Sequence, residues 1–234
     1  MDEATYIRTR DALVAAHRAE RPEFGAHFFE WAFLGDDTPF TDFDAHYVYF
    51  VAWAVRKLAE ARPTLHADFS SSLNFCTTAA AICETRFYDL RPAELHIPGL
   101  TCLHADLTAL DIPDGSFESV SCMHVLEHIG LGRYGDTPDV RGDLKAIAEL
   151  KRIVKPGGRL YVVAPSGHPC VVFNAHRIYG VEAFVGYFAD QFELEELYFI
   201  KGEPKTAEPL LNPSFDETLP YNMGCGCYAF RKRA

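Results

Sequence analysis

Leu65-His66-Ala67-Asp68-Phe69, Arg86-Phe87-Tyr88-Asp89 and Leu103-His104-Ala105-Asp106 are three short apolar runs, each closing on or beside an aspartate. The aspartates lie 21 and then 17 residues apart, about one strand-and-return step each. Leu65–Phe69, Arg86–Tyr88 and Leu103–Ala105 read as strands, followed by Ser119–Cys122 and Leu160–Ala164. Helical stretches at about 75–83 and 143–154 separate them. Strands alternating with helices predict a parallel sheet covered on both faces. In such a sheet ligands bind outside the carboxyl ends of the strands, where these aspartates fall. A carboxylate ending the second strand can accept both ribose hydroxyls of a nucleoside, and one ending the third can accept an adenine amino group. One such aspartate alone caps a turn. Three at these steps favour a nucleoside site.

Outward from this core, residues 4–61 read as helical: Tyr6 to Arg21 is alanine-rich, and Val48, Val51, Ala52, Val55, Leu58 and Ala59 recur at helical spacing before Arg62-Pro63. Between them Phe24, Phe28, Phe29, Trp31, Phe33, Phe40 and Phe43 form an aromatic cluster, either a packed helical layer or the wall of a substrate pocket. The expected division is a helical extension or lid over 1–63 and the α/β domain over 64–234. Phe192–Ile200 and Cys227–Phe230 suit a terminal antiparallel pair. The connection 201–224 carries Pro204, Pro209, Pro213 and Pro220, and a loop of that length is more often functional or mobile than idle.

Composition bounds the partners. The 234 residues correspond to roughly one and a half domains. With 48% hydrophobic and 24% charged residues the chain is ordinarily globular rather than disordered or fibrous. Twenty-two basic against thirty-three acidic side chains give a net charge of −11, which disfavours nucleic acid and anionic lipid. No apolar run approaches the roughly 18 residues of a membrane span, and the first residues lack a signal-peptide pattern. Seven cysteines without a C-x-x-C pair suit reduced thiols in a cytoplasmic protein.

The segment from Asp106 to Leu160 adds specificity. Asp106-Leu107-Thr108-Ala109-Leu110-Asp111-Ile112-Pro113-Asp114-Gly115-Ser116-Phe117 leads to His124-Val125-Leu126-Glu127-His128, and Leu150-Lys151-Arg152-Ile153-Val154-Lys155-Pro156-Gly157-Gly158 follows. Over about residues 64–165 the chain resembles class I S-adenosylmethionine-dependent methyltransferases. Within that superfamily, Cys122 to Asp136 and Asn174 to Tyr179 resemble a small, poorly characterised methyltransferase-like branch. The resemblance implies an α/β, Rossmann-like, doubly wound, mostly parallel seven-stranded sheet with an antiparallel C-terminal strand and an N-terminal helical extension. It implies S-adenosyl-L-methionine as cofactor, with Asp89 on the ribose, Asp106 and Leu107 at the adenine, and the backbone around Cys122-Met123-His124 facing the methionine part. The Gly157-Gly158 pair reads as a turn requiring positive φ before a buried strand.

The first loop departs from the family pattern. Asp68-Phe69-Ser70-Ser71-Ser72-Leu73-Asn74 has Ser70, Ser72 and Asn74 where glycines let the backbone approach the cofactor. Asp68, Ser70 and Ser72 are nevertheless the expected contacts to the amino-acid end. His124, Glu127 and His128, at i, i+3 and i+4, would share a helical face if the segment is helical. The spacing matches an inverted zinc-protease motif that belongs to a different fold. In some methyltransferases of this fold a Glu, Glu, His set at these positions binds a divalent metal. His124 replaces the first Glu, which leaves metal binding open. His128, His176, Glu127 and His124 are the catalytic candidates, with a histidine as general base. In the loop Gly130-Leu131-Gly132-Arg133-Tyr134-Gly135-Asp136, Arg133 suits an anionic group and Tyr134 stacking. Tyr179 is a third substrate contact. Cys225-Gly226-Cys227 is too closely spaced for a usual zinc clip and reads as a strand lead-in. The expected activity is methyl transfer to O or N of a small molecule, and a homodimer is one assembly open to the chain. Non-methyl, metal-assisted chemistry or a non-catalytic binding protein are the alternatives.

Overall fold

A computed structural model describes residues 2–21, 23, 33–203 and 205–234. Two compact units divide at 43/44. The first holds α1 (Glu3–Glu20), capped by Asp2, whose carboxylate accepts the Thr5 amide at 2.8 Å. No residue of α1 is buried. Of the aromatic cluster, Phe24, Phe28, Phe29 and Trp31 lie outside the described residues, and Phe33 and Phe40 are exposed.

The second unit is built on β1 (Leu65–Phe69), β2 (Glu84–Asp89), β3 (Leu100–His104), β4 (Phe117–Met123) and β5 (Val154–Ser166), all parallel. The sheet continues through β8 (Phe192–Ile200), β9 (Leu210–Leu211) and β10 (Gly224–Lys232) in the order β3-β2-β1-β4-β5-β10-β8-β9. Strand β10 runs antiparallel between β5 and β8. The expected seven strands are present, and the two-residue β9 adds an eighth. It falls, with the four-residue helix α6 (Phe215–Thr218), in the connection expected to be structureless. A separate hairpin pairs β6 (Cys170–Val172) with β7 (His176–Ile178).

Central strands β1 and β4 are buried on both faces, as covered parallel strands must be. On α4 (Gly142–Ile153) the buried Ala146, Ile147, Leu150 and Ile153 make one apolar stripe against the sheet. Lys155 to Gly158 are looped out where the β4–β5 register jumps, with Gly157 at φ +76°. The expected 63/64 boundary fails because α2 (Ala45–Ala61) belongs with the sheet. Its Phe50, Trp53, Ala54 and Leu58 are buried. Trp53 Nε1 and Lys57 Nζ donate to the two carboxylate oxygens of Glu196 on β8, each at 2.8 Å. Short helices α3 (Leu73–Ala79) and α5 (Val181–Gly186) complete the unit. No helix among the described residues is long and apolar enough to cross a membrane, and all seven cysteines are free thiols.

Candidate active site

The carboxyl ends of β1 to β4 open into a cleft of about 620 Å³. Ser70, Asp89, Asp106, Leu107, His124, His128 and Tyr134 line it, so seven of the expected site residues share one cavity. Asp89 ends β2 half-buried. One of its oxygens accepts the Arg91 amide at 2.7 Å, and the other has no partner among the described residues. Asp106 accepts the amide and hydroxyl of Thr108 at 2.8 and 2.7 Å, which fixes the turn carrying Leu107.

The serine-rich loop keeps a glycine-like backbone. Ser70 sits at φ +56°, in the left-handed region where a Cβ costs about 1–2 kcal/mol. Its amide and hydroxyl both donate to the Tyr88 carbonyl, at 2.8 and 3.2 Å. Ser71 Oγ accepts the Met123 amide at 3.0 Å, tying the loop to the end of β4. Ser72 caps α3 by accepting the Phe75 amide. These hydroxyls serve the loop, and of the three serines only Ser70 lines the cleft.

Asp68 does not line the cleft. It is fully buried, accepting from Ser121 Oγ and, at 3.1 Å, from the Ser71 amide. Burial pushes its carboxyl up to about 7 against those two hydrogen bonds. Ser121 also meets His66 Nε2 at 2.8 Å, while Ser119 meets Nδ1 at 2.8 Å. Burial drives this imidazole down to about 3, so it is neutral. Cys122 and Met123 are likewise buried beneath the cleft rather than on its surface.

The segment 124–128 is not one helix. His124 is left-handed at φ +57°, and only Leu126–His128 form a single 3-10 turn. The side chains still converge: His124 Nδ1 lies 2.9 Å, and His128 Nε2 3.8 Å, from Glu127 Oε1. Glu127 is buried, and its Oε2 has no partner among the described residues. His128 Nδ1 donates to the Ala175 carbonyl at 2.6 Å, which leaves Nε2 as the lone-pair nitrogen. His176 packs edge-on to His128 with ring centroids 6.4 Å apart, and its buried Nε2 also lacks a partner among the described residues. Partial burial lowers its pKa.

The glycine-rich loop folds around Asp136, which accepts the amides of Gly130, Gly132 and Tyr134. Against a burial that raises it, these amides hold the carboxyl below its ordinary range. A Cβ on Gly130 would come within 2.0 Å of the Asp139 carbonyl, so glycine is required there. The guanidinium groups of Arg91 and Arg133 each lie over the Tyr134 ring, 5.1 and 5.0 Å from its centroid. Arg133 donates to the Ala175 carbonyl and does not line the cleft. Tyr179 is a core residue whose hydroxyl donates to Asp143 at 3.0 Å, with burial raising its pKa first and Asp143 second. The sequence reading missed Arg91, Lys145 and Asp139, which also line the cleft. They stand in loops and on a helix face, where no spacing marks them.

The sequence model of a Caenorhabditis protein family of unknown function, DUF268, matches residues 110–200. No curated protein matches the sequence. Among solved structures, the N-methyltransferase NodS of Bradyrhizobium japonicum WM9, in complex with S-adenosyl-L-homocysteine, aligns with 85% of this chain and 90% of its own. The TM-score is 0.56 and the identity 15%. The YcgJ protein of Bacillus subtilis aligns over 80% of this chain and 99% of its own, with a TM-score of 0.55 and 12% identity. The 4+2 cyclase SpnF does so over 77% and 81%, with 0.53 and 16%. At these identities the likeness is one of fold: the chain has the class I methyltransferase architecture.

Proposed function

We propose that the chain is an S-adenosylmethionine-dependent methyltransferase acting on oxygen or nitrogen of a small molecule, such as a sugar or a natural-product intermediate. The observation that carries this is the common cleft at the strand ends, with Asp89 and Asp106 on its wall and Ser70 holding a left-handed turn. The residues fit the cofactor. Asp89 has a free oxygen for the ribose, Leu107 offers an apolar edge to the adenine, and Ser70 keeps the backbone path that glycine gives relatives of this fold. Bound there, the sulfonium would supply an electrophilic methyl group. The chain's own residues bind the nucleoside, align the acceptor, exclude water and take up a proton. His128 suits the last task, because its Nδ1–H is held by Ala175 and its Nε2 is the basic atom. Tyr134 stands on the same wall, where the Arg91 and Arg133 guanidinium groups cover its ring. That the fold also hosts a cyclase keeps non-methyl chemistry as the second reading.

Titration calorimetry with S-adenosylmethionine and S-adenosylhomocysteine tests the assignment, together with mass spectrometry of copurified nucleoside. Asp89→Ala should lower affinity at least about 100-fold, the loss of hydrogen bonds worth about 3 kcal/mol, without altering the melting curve. Equal affinities would remove Asp89 from the site. Absence of binding at millimolar ligand would overturn the cofactor reading. Binding without methyl transfer to any acceptor panel would favour the second.

A further inference from the structure

Three metal-ligating side chains from distant parts of the sequence converge beside the cleft. His46 comes from α2, His124 from the end of β4 and Cys225 from β10, and their donor atoms all lie within 4.8 Å of one another. We propose that His46, His124 and Cys225 form a zinc site, its fourth position left to water or to an acceptor group at the cleft wall that His124 lines.

One edge of the cluster already has the length of a loaded site. Zinc bonds of about 2.0 Å to nitrogen and 2.3 Å to sulfur at tetrahedral angles set an N···S edge of about 3.6 Å. His124 Nε2 and Cys225 Sγ stand 3.5 Å apart. A thiol–imidazole hydrogen bond would account for that pair alone, but not for His46, whose ring stacks parallel to His124 with centroids 5.9 Å apart. Room for His46 is kept by Gly202, at φ +82°, where a Cβ would come within 3.3 Å of His46 Nε2 and 2.5 Å of the Met223 carbonyl. Two imidazoles and one thiolate suit zinc in softness, and three protein ligands leave one position open.

The surroundings supply a second, independent sign. Metal-bound histidines give their other ring nitrogen to a carboxylate, and His124 Nδ1 meets Glu127 Oε1 at 2.9 Å. Glu127 is 1% exposed, and its Oε2 is one of two buried side-chain atoms without a partner among the described residues. Once the metal displaces the Cys225 proton, the thiolate joins the Glu127 carboxylate as a second buried negative charge, and a dication offsets both.

The test uses the full chain, stripped with chelator and titrated with Co²⁺, then with Zn²⁺. One equivalent of cobalt should give the intense visible bands of a tetrahedral site and a thiolate-to-cobalt charge-transfer band, both bleached by zinc. Cys225→Ser should abolish the charge-transfer band, whereas Cys227→Ser, two residues on and outside the cluster, should keep it. His46→Asn should weaken zinc binding more than about 100-fold, and Glu127→Gln about 10- to 100-fold, as loss of an outer partner does. X-ray absorption of the zinc-loaded protein should show one sulfur and two imidazole nitrogens, a readout that holds even if Cys225→Ser fails to fold. No zinc bound at micromolar concentration, a charge-transfer band that survives Cys225→Ser, or a shell without sulfur would each overturn the site. Cofactor calorimetry on the same samples is a separate readout, so failure of the methyltransferase reading leaves this one standing.

Discussion

Two polar clusters adjoin β4 and differ in one respect. Alongside the strand, Ser119, His66, Ser121, Asp68 and Ser71 form a buried chain in which every side-chain polar atom has a partner. Past its end, His124, Glu127, His128 and His176 stand together, and Glu127 Oε2 and His176 Nε2 are buried with none. A folded chain tolerates few unpartnered buried atoms, because each costs about 1–3 kcal/mol. The first cluster is therefore satisfied by the fold itself. The second leaves two buried atoms to which the described residues offer no partner.

The difference can be broken from either side. Asp68→Ala strands the Ser121 hydroxyl and the Ser71 amide, and should cost about 3 kcal/mol in urea unfolding. A loss below about 1 kcal/mol would mean that water replaces the carboxylate and that the chain is not a structural unit. The pH dependence comes next. Asp68, raised to about 7, contributes stability that is full below about pH 4 and lost as pH rises through 7. His66, lowered to about 3, contributes stability that is present above about pH 6.5 and lost as pH falls toward 3. The two slopes oppose each other over the same interval, so their net effect in the unmodified protein should be nearly flat there. Asp68→Asn should expose the His66 slope and make the protein acid-sensitive. His66→Leu should expose the Asp68 slope and make it relatively more stable toward pH 4. Chemical denaturation across pH 4 to 7 reads both, and parallel curves for all three proteins would refute the pairing.

Glu127→Gln, measured without metal, should change stability by less than about 1 kcal/mol, since the substitution removes a charge whose second oxygen gains nothing from the fold. A loss as large as that of Asp68→Ala would erase the distinction. Ser70→Gly should have the smallest effect. Relief of the left-handed strain is offset by added chain freedom and a lost hydroxyl hydrogen bond, for a net gain within about 1 kcal/mol. Thermal melts with and without S-adenosylhomocysteine would separate that gain from any change in affinity.

Much of the sheet is legible in the sequence because its strands are apolar runs ending at turn residues, and Phe192–Ile200 appears with its expected bounds. The hairpin of β6 and β7 is not, since three residues a side carry no periodicity. The cleft wall is legible through Asp89 and Asp106, whose places follow from strand ends, and through Leu107, which the family resemblance adds. Asp68 looks equivalent in sequence. Its burial depends on Ser121 lying opposite it across the β1–β4 register, and nothing in one strand announces its neighbour's side chain. His46 and Cys225 are invisible for the same reason, since they approach His124 only when three elements have packed. Tyr179 shows the converse, a residue with the right chemistry near the right segment whose hydroxyl is held inward by Asp143.

The place of β10 bears on how the protein is made. Strand β5 waits with one open edge until β10 arrives, and β8, synthesised earlier, has only the two-residue β9 to pair with in the meantime. On the ribosome, one edge of β5 and one edge of β8 emerge with no native partner until residues 224–232 are free. Unpaired edges of that kind invite pairing with other chains. Stalling the ribosome shortly before that stretch leaves the tunnel should therefore yield a protease-sensitive, chaperone-bound nascent chain, and release past it a resistant one.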